Sequence, residues 1–101
     1  MEDKIDFKVA IGTWNAEATK EQIIIKSYNP GKTDLPMAEI QRVLDDEGKE
    51  ADDQIIASTH DPYVMGNVMT IYPFGVMILG QNRILLFHKE TGEERTYKRS
   101  I

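Results

Sequence analysis

Asp45, Asp46, Glu47, Glu50, Asp52 and Asp53 crowd six carboxylates into nine positions, the densest set of chemically useful side chains in the sequence. A calcium loop needs oxygen ligands at its first, third and fifth positions ahead of a glycine at the sixth. Counting back from Gly48 puts Val43 at the first position, so the pattern fails and no metal site is expected. What the cluster can do is imitate the spacing of nucleic-acid phosphates or dock on a basic protein surface; the alternative is a solvated run of charge.

Two further pairings can do chemistry. His60 precedes Asp61, with Tyr63 close behind, and together they can line a pocket for a nucleotide or metabolite. His88 faces Glu94 in the hairpin register derived below. A histidine base also needs a nucleophile or bound water within reach, and neither is indicated. The chain has no cysteine, no GxGxxG and no Walker pattern, so catalytic residues, cofactor and enzymatic activity are not expected. Trp14, Tyr63 and Phe74 stand beside turn residues, where large aromatics either anchor a partner or cap the ends of a core.

Charge narrows the partners. Seventeen acidic against twelve basic side chains leave a net charge of -5 over 101 residues, which disfavours direct contact with nucleic acid or an anionic membrane and favours basic proteins. The carboxy-terminal hairpin is mildly basic through Arg83, Lys89, Arg95, Lys98 and Arg99, with Phe87 and Tyr97 between them, but Glu90, Glu93 and Glu94 dilute it. No apolar run follows the acidic start Met1-Glu2-Asp3-Lys4 and none reaches membrane-spanning length. The absence of cysteine fits a reducing compartment, so cytoplasmic residence is the expectation.

The elements that must position these residues are clearest between Val68 and Lys98. Glu90-Thr91-Gly92 reads as a three-residue hairpin loop with Gly92 in the left-handed position. That loop pairs Lys89 with Glu93, His88 with Glu94, Phe87 with Arg95, Leu86 with Thr96 and Leu85 with Tyr97, placing Leu85, Phe87, Arg95 and Tyr97 on one face. Gly80-Gln81-Asn82 turns between two apolar runs, Val76–Leu79 and Ile84–Phe87, whose continuity suits central strands. Pro73 cannot donate to a ladder, and Pro73-Phe74-Gly75 reads as a bulge in one long strand in preference to a turn.

Upstream, Ile5, Phe7, Val9 and Ile11 alternate as a strand with one buried face. Residues 15–28 read as a helix capped by Asn15, or as a loop followed by a strand from Gln22 to Tyr28. The β-branched run Ile23-Ile24-Ile25 favours the strand. Asn29-Pro30-Gly31-Lys32 is a turn. Thr33 and Asp34 then offer capping oxygens to an amphipathic helix over residues 36–47, with Pro36 in its first turn, Met37, Ile40, Val43 and Leu44 in its apolar stripe and Gly48 ending it. Residues 50–60 fit strand or helix equally, and His60-Asp61-Pro62-Tyr63 is a turn.

The expected architecture is a single α+β domain over residues 1–101, an antiparallel sheet of about five strands closed by the Gly92 hairpin, with the 36–47 helix on one face. Its type is that of a small bacterial or viral accessory protein. The expected function is that of an acidic intracellular protein-interaction module, an inhibitor or adaptor on a basic partner, with homodimerisation through unpaired sheet edges near Tyr72, Phe74 and Met77. The alternative is a small-molecule binder, or minor enzyme, using His60, Asp61 and Tyr63.

Overall fold

The computed structural model describes residues 7–28, 37–60 and 62–100. After a 3-10 turn at Phe7–Ala10 come nine strands: β1 (Gly12–Ala16), β2 (Gln22–Tyr28), β3 (Met37–Leu44), β4 (Glu50–His60), β5 (Tyr63–Met65), β6 (Val68–Ile71), β7 (Phe74–Gly80), β8 (Arg83–His88) and β9 (Glu94–Arg99). They form one antiparallel sheet in the order β4-β3-β2-β1-β9-β8-β7-β6-β5. Two meanders, β1 to β4 and β5 to β9, are therefore joined by the pairing of β1 with β9. The smallest overall extent is 30 Å, three times the roughly 10 Å spacing of flat packed sheets. The sheet is instead rolled into a half-barrel, bringing β3 and β4 against β6 across the interior without a shared ladder.

Strand alternation puts one face inside the roll. Trp14, Ile23, Ile25, Ile40, Met69, Ile71, Val76, Ile84 and Tyr97 are fully buried there, and each large aliphatic contributes about 2 kcal/mol by leaving water. Trp14 anchors one end. Its indole nitrogen donates to the Ala10 carbonyl at 2.9 Å, and the Arg99 guanidinium lies over its ring, 4.3 Å from the centroid. Arg99 also donates to the carbonyls of Gln81 (2.9 Å), Ile11 (3.0 Å) and Val9, tying the 3-10 turn to the β7–β8 turn.

The α+β expectation is overturned. Among the described residues the regular structure is the nine strands and the 3-10 turn, and residues 37–44 of the expected helix form β3, between β2 and β4. The stripe Met37, Ile40, Val43 and Leu44 suggested a helical period, yet the buried positions are Ala38 and Ile40 together with Glu39, with Arg42 continuing the inward alternation. A polar residue facing inward disguised a strand period as a helical one. Two ladders, to Ile25 and Ala57, hold Ile40 extended, so tertiary pairing overrides the helix-favouring composition.

Other boundaries move as well. Phe7–Ala10 is a 3-10 turn where a strand was expected. The loop-and-strand reading of residues 15–28 holds for β2, although β1 already reaches Ala16, and residues 50–60 are strand. Pro73 lies in a tight turn closed by the Ile71–Phe74 pair, and the Tyr72–Pro73 peptide is cis. There is no long bulged strand, because a residue without an N–H is best accommodated where the ladder ends. The Asn29–Lys32 turn, the capping residues Thr33 and Asp34, and Pro36, Ile5 and Asp61 lie outside the described residues. No helix among those described is long and apolar enough to cross a membrane.

The Gly92 hairpin is present, with Gly92 at φ 78°, but its register differs by one residue. Gly92 donates to the His88 carbonyl and His88 to that of Glu93, so four residues form the loop. Leu86 then pairs with Arg95 and Ile84 with Tyr97. Since strand side chains alternate faces, this slip changes which residues share the interior. Ile84, Leu86, His88, Arg95 and Tyr97 now do.

Candidate functional site

Glu21 stands one residue before β2, in phase with Ile23 and Ile25, and is 1% exposed. Its position is fixed by backbone. Its carbonyl accepts from the Ala16 N–H at 2.9 Å and its own N–H donates to Thr19 Oγ1 at 3.2 Å. A carboxylate so placed must be paired, because burying an isolated charge is prohibitive. Arg42 of β3 donates its Nε to Oε2 at 2.8 Å, Arg95 of β9 donates Nη1 to Oε1 at 2.9 Å, and the Tyr97 hydroxyl donates to the same Oε1. Strands β3 and β9 are thereby tied to the residue that leads into β2.

The network extends outward through Arg95, whose Nη1 also meets Asp46 at 2.6 Å and whose Nη2 meets Glu93 at 3.3 Å. Burial opposes the charge on Arg95, but the Asp46 and Glu21 carboxylates outweigh it and hold the guanidinium protonated. Burial first, and then the hydrogen bond to Glu21, push the Tyr97 phenol well above its ordinary 10.0. Tyr97 is therefore a neutral donor throughout the physiological range.

A pocket of about 160 Å³ opens above this floor. Its apolar walls are Ile56, Phe74 and Leu86, while His88 and Glu93 complete the rim with Arg42, Arg95, Tyr97 and Glu21. Ile56 reaches it through a bulge: Ile40 pairs with Ala57 and Gln41 with Ile55, leaving Ile56 as the extra residue in β4. Phe74 and His88 are cross-strand partners whose rings meet edge to face with centroids 5.1 Å apart. His88 Nδ1 accepts the backbone N–H groups of Glu90 and Thr91, both at 3.2 Å. A neutral imidazole used in this way carries its proton on Nε2.

The donors here are unequally committed. Every oxygen of Glu21 has a partner and Arg95 is engaged by three carboxylates. Arg42 uses only its Nε. Its side chain is 34% exposed at the pocket, and its two terminal nitrogens donate to no described residue.

The residues singled out from sequence lie elsewhere, except at three points. Asp46 reaches Arg95, Phe74 walls the pocket and His88 stands on its rim. Asp45 accepts from the Glu47 and Lys49 N–H groups at 2.9 and 3.0 Å and shapes the β3–β4 turn. Glu47 pairs with Lys49 on the surface. Glu50, Asp52 and Asp53 are exposed on β4, where Asp52 and Asp53 both take positive φ in a bulge. Trp14 is in the core, His60 is exposed at the end of β4, and Tyr63 is exposed on β5. Phe87 pairs with Glu94, separating His88 from its expected partner. No group of three metal-ligating side chains occurs among the described residues.

Sequence reasoning missed Glu21, Arg42, His88, Arg95 and Tyr97 as a set. The available signal was phase: Glu21 two residues before Ile23, and Arg42 two after Ile40, are charges at positions where an interior residue belongs. Comparison with protein-family models, curated proteins and solved structures finds no match to this chain.

Proposed function

We propose that the half-barrel binds a small molecule in the pocket between β3, β4, β7, β8 and β9. The supporting observation is the conjunction of three apolar walls with a charged floor whose hydrogen-bond donors are not all used. Sites for small ligands typically combine an apolar lining with a few placed polar groups, as this one does. A cavity of about 150 Å³ is known to hold one benzene molecule, so the occupant here is a compact ring or branched chain and not a nucleotide. Catalysis is not part of the proposal.

The test is occupancy. In the labelled intact protein, methyl resonances of Ile56 and Leu86 are followed by NMR while single-ring fragments are added. Shifts clustering on the pocket strands, and abolished by the cavity-filling substitution Leu86→Trp in a folded variant, support the proposal. Shifts spread over the surface, or none, reject it.

A second reading, a protein-interaction module, draws on Tyr63, Met65, Tyr72 and Ile55, large hydrophobic residues that are all more than half exposed. Tyr63 and Met65 lie on the edge strand β5. A basic partner would meet Glu50, Asp52 and Asp53, since Asp45 and Asp46 are committed within the chain. Reversing those three charges should release a captured partner, and added salt should weaken its binding. Phe74 and Met77 lie on β7, paired with β6 and β8, so the edge expected near them is absent and homodimer pairing would use β4 or β5; light scattering checks it, an 11.5 kDa monomer at high concentration rejecting it.

A further inference from the structure

Resting on the small-molecule reading, we propose that the ligand is a monocarboxylate with a compact apolar body, its carboxylate read by Arg42 with the His88 Nε2–H as a second donor. Unmet hydrogen-bonding capacity carries the argument. The Glu21 oxygens already accept three donors and the Tyr97 proton is spent on Glu21, so the floor offers little to a cationic or donor-rich ligand. Arg42 offers two terminal nitrogens, and His88, whose Nδ1 is occupied by the loop backbone, offers its opposite nitrogen. Both residues line the pocket.

Charge selects within the acceptors. Two guanidinium groups surround the buried Glu21 carboxylate, while the Asp46 and Glu93 carboxylates that share Arg95 are more than half exposed. Within the lining Glu21 and Glu93 balance Arg42 and Arg95, so what remains for a ligand is donor capacity, in the two terminal nitrogens of Arg42. A hydrocarbon would strip water from this guanidinium and replace none of its hydrogen bonds. A phosphate dianion would bring two negative charges beside Glu21 and Glu93 and leave Ile56, Phe74 and Leu86 without apolar contact. A monocarboxylate matches both parts, because guanidinium and carboxylate pair through parallel N–H···O bonds and the remaining body fills the walls.

The probes are benzoate, benzyl alcohol and benzylamine, three single-ring compounds differing in charge, titrated into the intact protein by NMR and calorimetry. Benzoate is expected to bind at least about tenfold tighter than benzyl alcohol, with benzylamine weakest. In Arg42→Gln, which leaves Glu21 paired with Arg95 and Tyr97, the benzoate advantage should collapse. Arg42→Lys, which keeps the charge and loses the fork, should lie between and guards against a misfolded Gln variant. Benzyl alcohol binding as tightly as benzoate overturns the ligand class but leaves the pocket. A benzoate preference that survives Arg42→Gln overturns the role of Arg42. If no probe shifts a lining residue, the pocket reading fails and the class with it.

Discussion

Arg99 and Arg42 both stand on the inner side of the sheet and are used in opposite ways. Arg99 spends all three guanidinium nitrogens on the Gln81, Ile11 and Val9 carbonyls and its π-facing surface on Trp14. The backbone makes room for it. Gly12 sits at φ 141°, and a Cβ there would come within 2.7 Å of Arg99 Nη1. Arg42 spends one nitrogen on Glu21 and leaves the others at a cavity. A saturated arginine is a fastener between segments; an unsaturated one beside a cavity retains binding capacity. Since both were simply basic positions in the sequence, partner accounting rather than residue type separates structure from function.

The largest break in the comparison should come from Glu21→Gln. It leaves Arg42 and Arg95 facing each other without the carboxylate between them, at an expected cost of about 3 kcal/mol in urea unfolding. Arg99→Met keeps an apolar body over Trp14 but orphans three carbonyls, and should cost about 2 kcal/mol by the same measurement.

The Tyr97 phenol supplies a pH test. Its pKa is raised in the folded chain, so its contribution is full below about pH 10 and declines as pH rises from there toward the folded value. Alkaline unfolding followed by circular dichroism should show that decline, and Tyr97→Phe should remove it. Arg42→Gln should change stability by less than about 1 kcal/mol, because the lost ion pair is partly solvated at the arginine. A larger loss would make Arg42 a fastener like Arg99 and erase the distinction.

The smallest effect lies at the surface. The hydrogen bonds from Arg83 and then Thr96 lower the Glu17 pKa below 4.5, and the Lys49 N–H lowers that of Asp45 below 3.8. Depressed carboxylates stabilise above their ordinary values, and that contribution disappears as pH falls through the folded ones. Glu17→Gln with Asp45→Asn should flatten the stability curve below about pH 4.5, read from urea midpoints.

The strands β7 and β8 were legible because continuous apolar runs bounded by turn residues admit few other readings, and β2 because Ile23, Ile24 and Ile25 are β-branched. The helix misassignment and the hidden site share one physical cause. Arg42 is polar at an interior position, and only a partner twenty-one residues away, Glu21, makes that tolerable. Local periodicity carries no information about such a partner. The hairpin was found and its register missed because Gly92 specifies a left-handed residue, while the choice between three and four loop residues depends on packing across the half-barrel. That single step decided whether Leu86 or Phe87 lay beside Arg95 inside the sheet.

The seam between β1 and β9 also bears on how the chain reaches this state. All other ladders join strands consecutive in sequence, so each closes a short loop, whereas the seam brings together Ala16 and Tyr97, about eighty positions apart, through three paired residues. Its loop-closure entropy is the largest in the fold and its ladder among the shortest. Tyr97 and Glu21 of the pocket floor, and the separate Trp14–Arg99 stack, lie at or beside this junction, so their interactions help offset the largest closure cost in the fold. The floor of the pocket and the longest-range ladder of the fold occupy the same few residues.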